Sequence, residues 1–221
     1  MEFLELTRDH TVQRPSIDLD DLTPEPAGFR GEVVLQFARI RGGDQSDVTG
    51  EGSLTRTMVE EVNLSGAHLA PLEMTDVVFR DLDLSNGTLR EVTAQRVEWQ
   101  QCRAIGLNLH LSLATNLFLD GCHLDLATIA IDRVKGIVVF RRCSLRETTI
   151  TGDLSNVVFL DCDLAAAEFT GSRADGADLR TSRLDNTRGL STLRGAIISG
   201  EQAASVAEQL ATEAGLTVRS G

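Results

Sequence analysis

Large apolar residues recur every five positions along most of the chain. From Leu54 the column reads Leu54, Val59, Leu64, Leu69, Met74, Phe79, Leu84 and Leu89. It resumes as Leu154, Phe159, Leu164, Phe169, Ala174, Leu179 and Leu184, with Trp99, Phe140 and Leu145 between the two runs. Two positions before each member sits a smaller or second apolar residue: Val62, Ala67, Leu72, Val77 and Leu82, then Val157, Cys162, Ala167, Ser172, Ala177 and Ser182. The residue between the two is usually polar, as at Asn63, His68, Glu73, Asp83, Asp163, Glu168 and Asp178. A period of five fits neither the 3.6-residue helix nor the two-residue strand. A coil of four five-residue sides closes after twenty residues and stacks on the next, which predicts a second, longer period. Val77–Leu84 and Val157–Leu164 match in pattern, and 157 − 77 = 80 is a multiple of twenty.

The segments Ala177-Asp178-Leu179-Arg180-Thr181 and Cys162-Asp163-Leu164-Ala165-Ala166 resemble the Ala-(Asp/Asn)-Leu-x-x motif of the pentapeptide-repeat family. The resemblance covers about Leu54 to Arg188, in nearly one register. It implies an all-β solenoid, a right-handed quadrilateral β-helix, with the central residue and the one two before it pointing inward. About seven coils fit this span, a rod of about 34 Å at roughly 4.8 Å per stacked strand.

The ends differ from the repeat. In residues 1–53, Pro15, Pro24, Pro26 and Gly28 break the first part into loops, Glu32–Ile40 reads as a strand with Val33, Leu35 and Phe37 on one face, and Arg41–Asp44 as a turn. A solenoid end exposes strand edges, so the region is expected to form an irregular first coil or two and a cap. The repeat spans 54–188, and 189–221 reads as a C-terminal capping or dimerisation helix and tail. There Ser199 with Gln202 forms a capping box, Ala203, Val206, Ala207, Leu210 and Ala214 lie on one stripe, and Gly215 ends the helix before Leu216. Such a helix must dock on the last coil or on a second copy. The resemblance to quinolone-resistance pentapeptide proteins implies a homodimer through Ala203, Val206, Ala207, Leu210 and Leu216, with a monomeric cap as the alternative.

The middle of the repeat is irregular. Extending the register over Ala104–Asn116 places Leu107, Ser112 and Leu117 inward and leaves Ile105, Leu111, Leu113 and Phe118 outside. That pattern marks an exposed interface or bulge, or a register change that buries some of them. The register gains a residue between Gly136 and Phe140 and loses one between Ile150 and Leu154, which predicts a bulge near Lys135–Ile137 and a tightened corner near Gly152.

The net charge is −12 over 221 residues: −5 over 1–57, −6 over 58–188 and −1 over the rest. Direct nucleic-acid binding needs clustered Lys and Arg and is not expected. No apolar run reaches a membrane span and the start lacks a signal pattern, so the expected location is cytoplasmic.

Nothing in the pattern points to catalysis, a metal or a cofactor. Cys102, Cys122, Cys143 and Cys162 are spaced by one coil each, a column of small side chains rather than a Cys-x-x-Cys metal site. His10, His68, His110 and His123 show no ligand spacing. There is no phosphate loop, nucleophile elbow or His-Glu-x-x-His. An enzymatic reading requires a polar cleft between the N-terminal segment and the rod. The resemblance implies instead an acidic rod that mimics DNA and binds DNA gyrase or topoisomerase IV, protecting it from quinolones or toxins. Candidate contacts are Asp76, Asp81, Asp83, Asp120, Asp161 and Asp163. The alternative is a protein–protein interaction scaffold with another partner. Outward columns of mixed sign, such as Arg80-Asp81 followed by Gln100-Gln101, argue for that alternative.

Overall fold

The structure is a computed structural model and describes residues 2–218. Strands β1 (Phe3–Glu5) and β2 (Thr11–Gln13) form an antiparallel hairpin of their own. The rod begins with β3 (Thr23–Glu25), β4 (Gly31–Gln36) and β5 (Ala38–Arg41). Four long bent strands follow: β6 (Thr49–Glu60), β7 (His68–Arg80), β8 (Thr88–Gln100) and β9 (Asn108–Asp120). The upper rod has β10 (Thr128–Ile131), β11 (Val138–Arg141), β12 (Thr149–Asp153), β13 (Val157–Leu160) and β14 (Glu168–Arg173). Helix α1 (Gly200–Glu213) comes last. Every rod pairing is parallel and joins a residue to its counterpart one coil on, as in Val77↔Val97↔Leu117↔Val138↔Val157.

The repeat forms a coil because two of every five side chains face the axis and the fifth residue turns the corner. Leu64, Leu69, Met74, Phe79, Leu84, Leu89, Trp99, Phe140, Leu145, Phe159, Leu164, Phe169, Leu179 and Leu184 are all buried in one continuous core. Phe140 stacks on Phe159 at 5.1 Å, and Phe169 meets Phe159 edge-on at 5.9 Å. Trp99 fits because Ala94 and Ala104, before and after it, and Ala114 in the next coil are buried at column positions that elsewhere hold larger residues.

Cys102, Cys122, Cys143 and Cys162 are buried and unbridged, stacked between Leu82 and Ser182. Each thiol faces a carbonyl of the coil below, as Cys162 Sγ to Phe140 O at 3.3 Å, and the Ser182 hydroxyl donates likewise to Phe159 O at 3.0 Å. From Cys102 to Ser182 the column thus holds small side chains that each donate one weak hydrogen bond, where Val62 and Leu82 below them are purely apolar. Burial pushes the Cys162 thiol up, away from the reactive thiolate.

Most corners are turned by a residue in the left-handed region. One corner runs Asp47, Gly66, Asn86, Gly106, Leu126, Glu147, Ala166 and Asn186, all with positive φ. Leu126 sits there at φ +60 and 58% exposed, so it gains little burial to offset the strain. Left-handed geometry costs an L-residue roughly 1–2 kcal/mol, and asparagine tolerates it best among non-glycine residues. Leu126→Asn is expected to stabilise the rod by about 1 kcal/mol and raise Tm by about 2–4 °C in a thermal melt.

Several sequence expectations change here. The rod starts upstream of residue 54, since β3 pairs with β5 and β4 with β6, and it continues past 188 to a bridge between Asp178 and Ile197. The strand expected over 32–40 breaks at Phe37, a corner with φ +51, so Ala38 and Ile40 rather than Phe37 go inward. In the irregular middle, Leu111 replaces Ser112 inside: Val92 pairs with Leu111 and Thr93 with Leu113, leaving Ser112 as the bulged residue. By contrast, the added residue lies between Val134 and Val138 and the register shifts again at Gly152, where the spacing places both. Ser172 is exposed rather than inward, passed over by the same shift, which pairs Asp153 with Arg173.

Helix α1 closes the top of the rod. Ser199 accepts from the Gln202 backbone and Gln202 returns the bond. The same Gln202 amide donates to Leu179 O and Ser182 O, both at 2.6 Å, so one side chain caps the helix and the last coil together. Val206 is buried and Leu210 half-buried against the core. Glu213 accepts from the backbone of Gly189 and Ser191. Val206 and Leu210 are thus committed to the coil, while Ala203, Ala207 and Leu216 stay exposed. The five residues do not form one outward face.

The largest departure is at the N-terminus. Residues 2–16 do not cap the end of the rod. They run along its flank as a strap.

Candidate interaction surface

The strap covers one of the four sides, the side whose inward column holds Phe79, Trp99, Leu119, Phe140 and Phe159. Its outward column reads Met58, Val78, Glu98, Phe118, Val139, Val158 and Asp178, and all seven are buried. Val12, with Leu4 and Leu6, packs on Phe118, Ile137, Val139, Val158 and Leu160 as a second apolar cluster outside the solenoid. That explains Phe118, which one coil alone leaves outside.

Ionic contacts fix the strap's edges. Arg14 grips Glu98 at 3.0 Å, and Glu98 also accepts from Gln100 at 2.7 Å. Asp9 meets Arg180 at 3.2 Å, Arg180 holds Asp178 at 2.6 Å, and His10 Nδ1 lies 3.9 Å from Asp178. The Ser16 amide donates to Asp76 at 2.9 Å.

The six candidate acids divide by environment. Asp76 is buried beneath the strap and held by Arg96 in two bonds of 2.6 and 2.7 Å, so it is no surface contact. Asp120 is clamped by Arg141 at 2.6 Å and Arg142 at 2.5 Å. Asp83 lies 3.9 Å from Arg103, and Asp163 lies 3.6 Å from Arg146 and 3.7 Å from Arg183. Asp81 and Asp161 are exposed, with no ion pair among the described residues. The twenty-residue period places these arginines on neighbouring coils, but spacing alone does not show which of them close on a carboxylate.

Burial works to raise the carboxyls of Asp76, Asp120 and Asp178. Their arginines, and the backbone amides at Asp76 and Asp178, overcome it and hold all three below the ordinary aspartate value. A depressed folded-state pKa stabilises the fold above the unfolded value and loses that effect as pH falls. Thermal melts are expected to hold steady well above 3.8, the ordinary value, and to drop as pH falls through and below it. Asp120→Asn should flatten part of that drop.

The side that follows the strapped one is open. It carries Asp44, Asn63, Asp83, Arg103, His123, Ser144, Asp163 and Arg183 in one bridged column. Glu61, Asp81, Arg142 and Asp161 stand on one bordering corner, and Asp47 and Glu147 on the other. Acids outnumber arginines here, and this flank carries the exposed carboxylates of Asp81 and Asp161.

Between strap and rod is a depression lined by Leu6, Thr7, Arg141, Arg142, Leu160, Asp161 and Thr181, whose two arginines are already engaged by Asp120. Among the described residues, no three His, Cys, Asp or Glu side chains converge as a metal site. No described helix is long and apolar enough to cross a membrane.

The family of pentapeptide repeats (8 copies) matches residues 153–186. No curated protein matches the chain in sequence. QnrB1, a plasmid-mediated fluoroquinolone resistance protein, is similar in structure at TM-score 0.50 and 18% identity, over 85% of this chain and 99% of that one. A trypsin-treated QnrB1 variant aligns at TM-score 0.49 and 18% identity, over 89% of this chain and 100% of that one. HetL, a pentapeptide repeat protein involved in heterocyst differentiation regulation from the cyanobacterium Nostoc, aligns at TM-score 0.30 and 16% identity, over 76% and 86%. Coil geometry and the likeness to QnrB1 agree on the fold: the chain is a parallel β-helix of about seven turns with one C-terminal helix, and its residues 153–186 match the pentapeptide-repeat family.

Proposed function

We propose that the protein is a non-enzymatic binding rod whose acidic flank docks on the basic DNA-binding surface of a type II topoisomerase, DNA gyrase or topoisomerase IV, in the cytoplasm. The observation that carries this reading is the surplus of carboxylates on an uncovered side of the rod, with Asp81 and Asp161 exposed and Asp83 and Asp163 half-buried beside them. Stacked strands hold these carboxylates at fixed multiples of about 4.8 Å, a regular array to set against a surface built for the phosphates of a duplex. The fold likeness to a fluoroquinolone resistance protein supports the choice of partner. Ala203, Ala207 and Leu216, left exposed by α1, support pairing of two rods through their C-terminal ends.

The arginine pairs at Asp83, Asp120 and Asp163 favour a second reading, a scaffold for a different partner, because they blunt the negative field. Supercoiling by gyrase, titrated with the protein with and without a fluoroquinolone, separates the two. Inhibition or drug rescue that the double variant Asp81→Lys/Asp161→Lys abolishes, with Tm unchanged, supports the first. Supercoiling and drug sensitivity that ignore the protein transfer the weight to the second.

A further inference from the structure

The strap contacts the rod in an ordered way. Residues 10–14 are extended, so alternate side chains share a face. His10, Val12 and Arg14 point at the rod, and Thr11 and Gln13 lie between them. Along the rod axis the covered column reads Asp178, then Val158, Val139 and Phe118, then Glu98. Polar meets acid at one end, aliphatic meets apolar in the middle, and cation meets acid at the other. The strap thus reads one residue from each of several coils, across the strands rather than along them.

The attachment is also separable. Among the described residues, every hydrogen bond from residues 2–16 to the rod involves a side chain on at least one partner: Gln13 to Asn116, Arg14 to Glu98, Ser16 to Asp76, and Arg180 to Asp9. β1 and β2 pair only with each other, whereas the coils beneath pair through their backbones without them. Lifting the strap breaks no coil. It uncovers an apolar ridge of Phe118, Val139 and Val158 flanked by two acids, a surface unlike any other side of the rod.

We propose that this face is a binding groove for an extended protein segment with an aliphatic residue two places ahead of an arginine. The strap is its built-in occupant and is displaced by a partner segment of the same chemistry. The groove borders the acidic flank at Asp161 but its apolar ridge lies on another side of the rod, so this inference stands whether or not a topoisomerase is the flank's partner.

The test uses the full chain and a fluorescent synthetic peptide of residues 2–16. The parent, with its groove filled, is expected to bind the peptide weakly, and the full-length Val12→Ser variant, its own strap loosened, at least about tenfold more tightly. A peptide carrying Arg14→Gln should lose about tenfold in affinity, and about 1 M salt should weaken the unaltered peptide similarly. Equal binding to parent and variant, or binding to neither, overturns the proposal. Hydrogen exchange on the parent gives an independent reading. Strap amides such as Arg14, bonded to Glu2, should exchange at least about a hundredfold faster than rod amides and faster still in salt. Strap and rod exchanging as one unit overturns the proposal whatever the variant does.

Discussion

Phe159→Asp is expected to abolish the cooperative melt of the upper rod. Phe159 is 1% exposed, sandwiched between Phe140 and Phe169 in an interior of aliphatic and aromatic side chains. The substitution removes two aromatic contacts and places a carboxylate where no described cation reaches it. Losing a buried phenylalanine costs about 3–5 kcal/mol, and an uncompensated polar group adds several more. That total rivals the whole stability of an ordinary domain, about 5–15 kcal/mol. Phe159→Leu, which keeps the volume roughly, should cost only about 1–2 kcal/mol. Trp99, the one tryptophan in a chain without tyrosine, reports the melt from three coils away through its buried indole. A Phe159→Asp protein that melts like its parent would place this residue outside the core.

Gly152→Ala is expected to be nearly as damaging, although it adds one methyl group. Gly152 has φ +95, and a Cβ there would stand 2.1 Å from the Ile131 carbonyl oxygen and 3.0 Å from its carbon. The obstacle is backbone, held by the pairing of Ile131 with Gly152 and of Gly152 with Gly171 on the other side. Neither neighbour can retreat without opening a ladder. The expected cost is above about 3 kcal/mol, or a Tm lower by at least about 6 °C. Gly28→Ala is the control: nothing lies within 4 Å of its Cβ position, and it should melt with the parent.

The rod was legible because its signal is repeated. Each five-residue unit restates the same inward pair, so Leu64, Phe79, Phe159 and Leu179 support one another, and a one-residue shift at Gly152 stands out against the period. Residues 2–16 carry no repeat. Their meaning lies in contacts with positions 98, 118, 139, 158 and 178, which proximity in sequence cannot suggest. The one available hint was Phe118, Val139 and Val158, apolar at an outward position that is polar on other sides. The acids were legible as residues but not as charges, since Arg96, Arg141 and Arg183 neutralise carboxylates a coil away. The helix was legible down to its capping box, yet the capping of Leu179 and Ser182 by Gln202 depends on where the last coil ends.

The contact between Asp9 and Arg180 joins residues 171 positions apart. Each coil needs only its predecessor, so the rod can wind from its first turn as the chain leaves the ribosome. The strap is made before the rod but cannot complete its contacts until residue 180 has emerged and its coil has formed. The strap, synthesised before the rod it lies on, is therefore among the last segments to complete its contacts, and a nascent chain stalled before that point lacks the Asp9–Arg180 and His10–Asp178 end of the attachment.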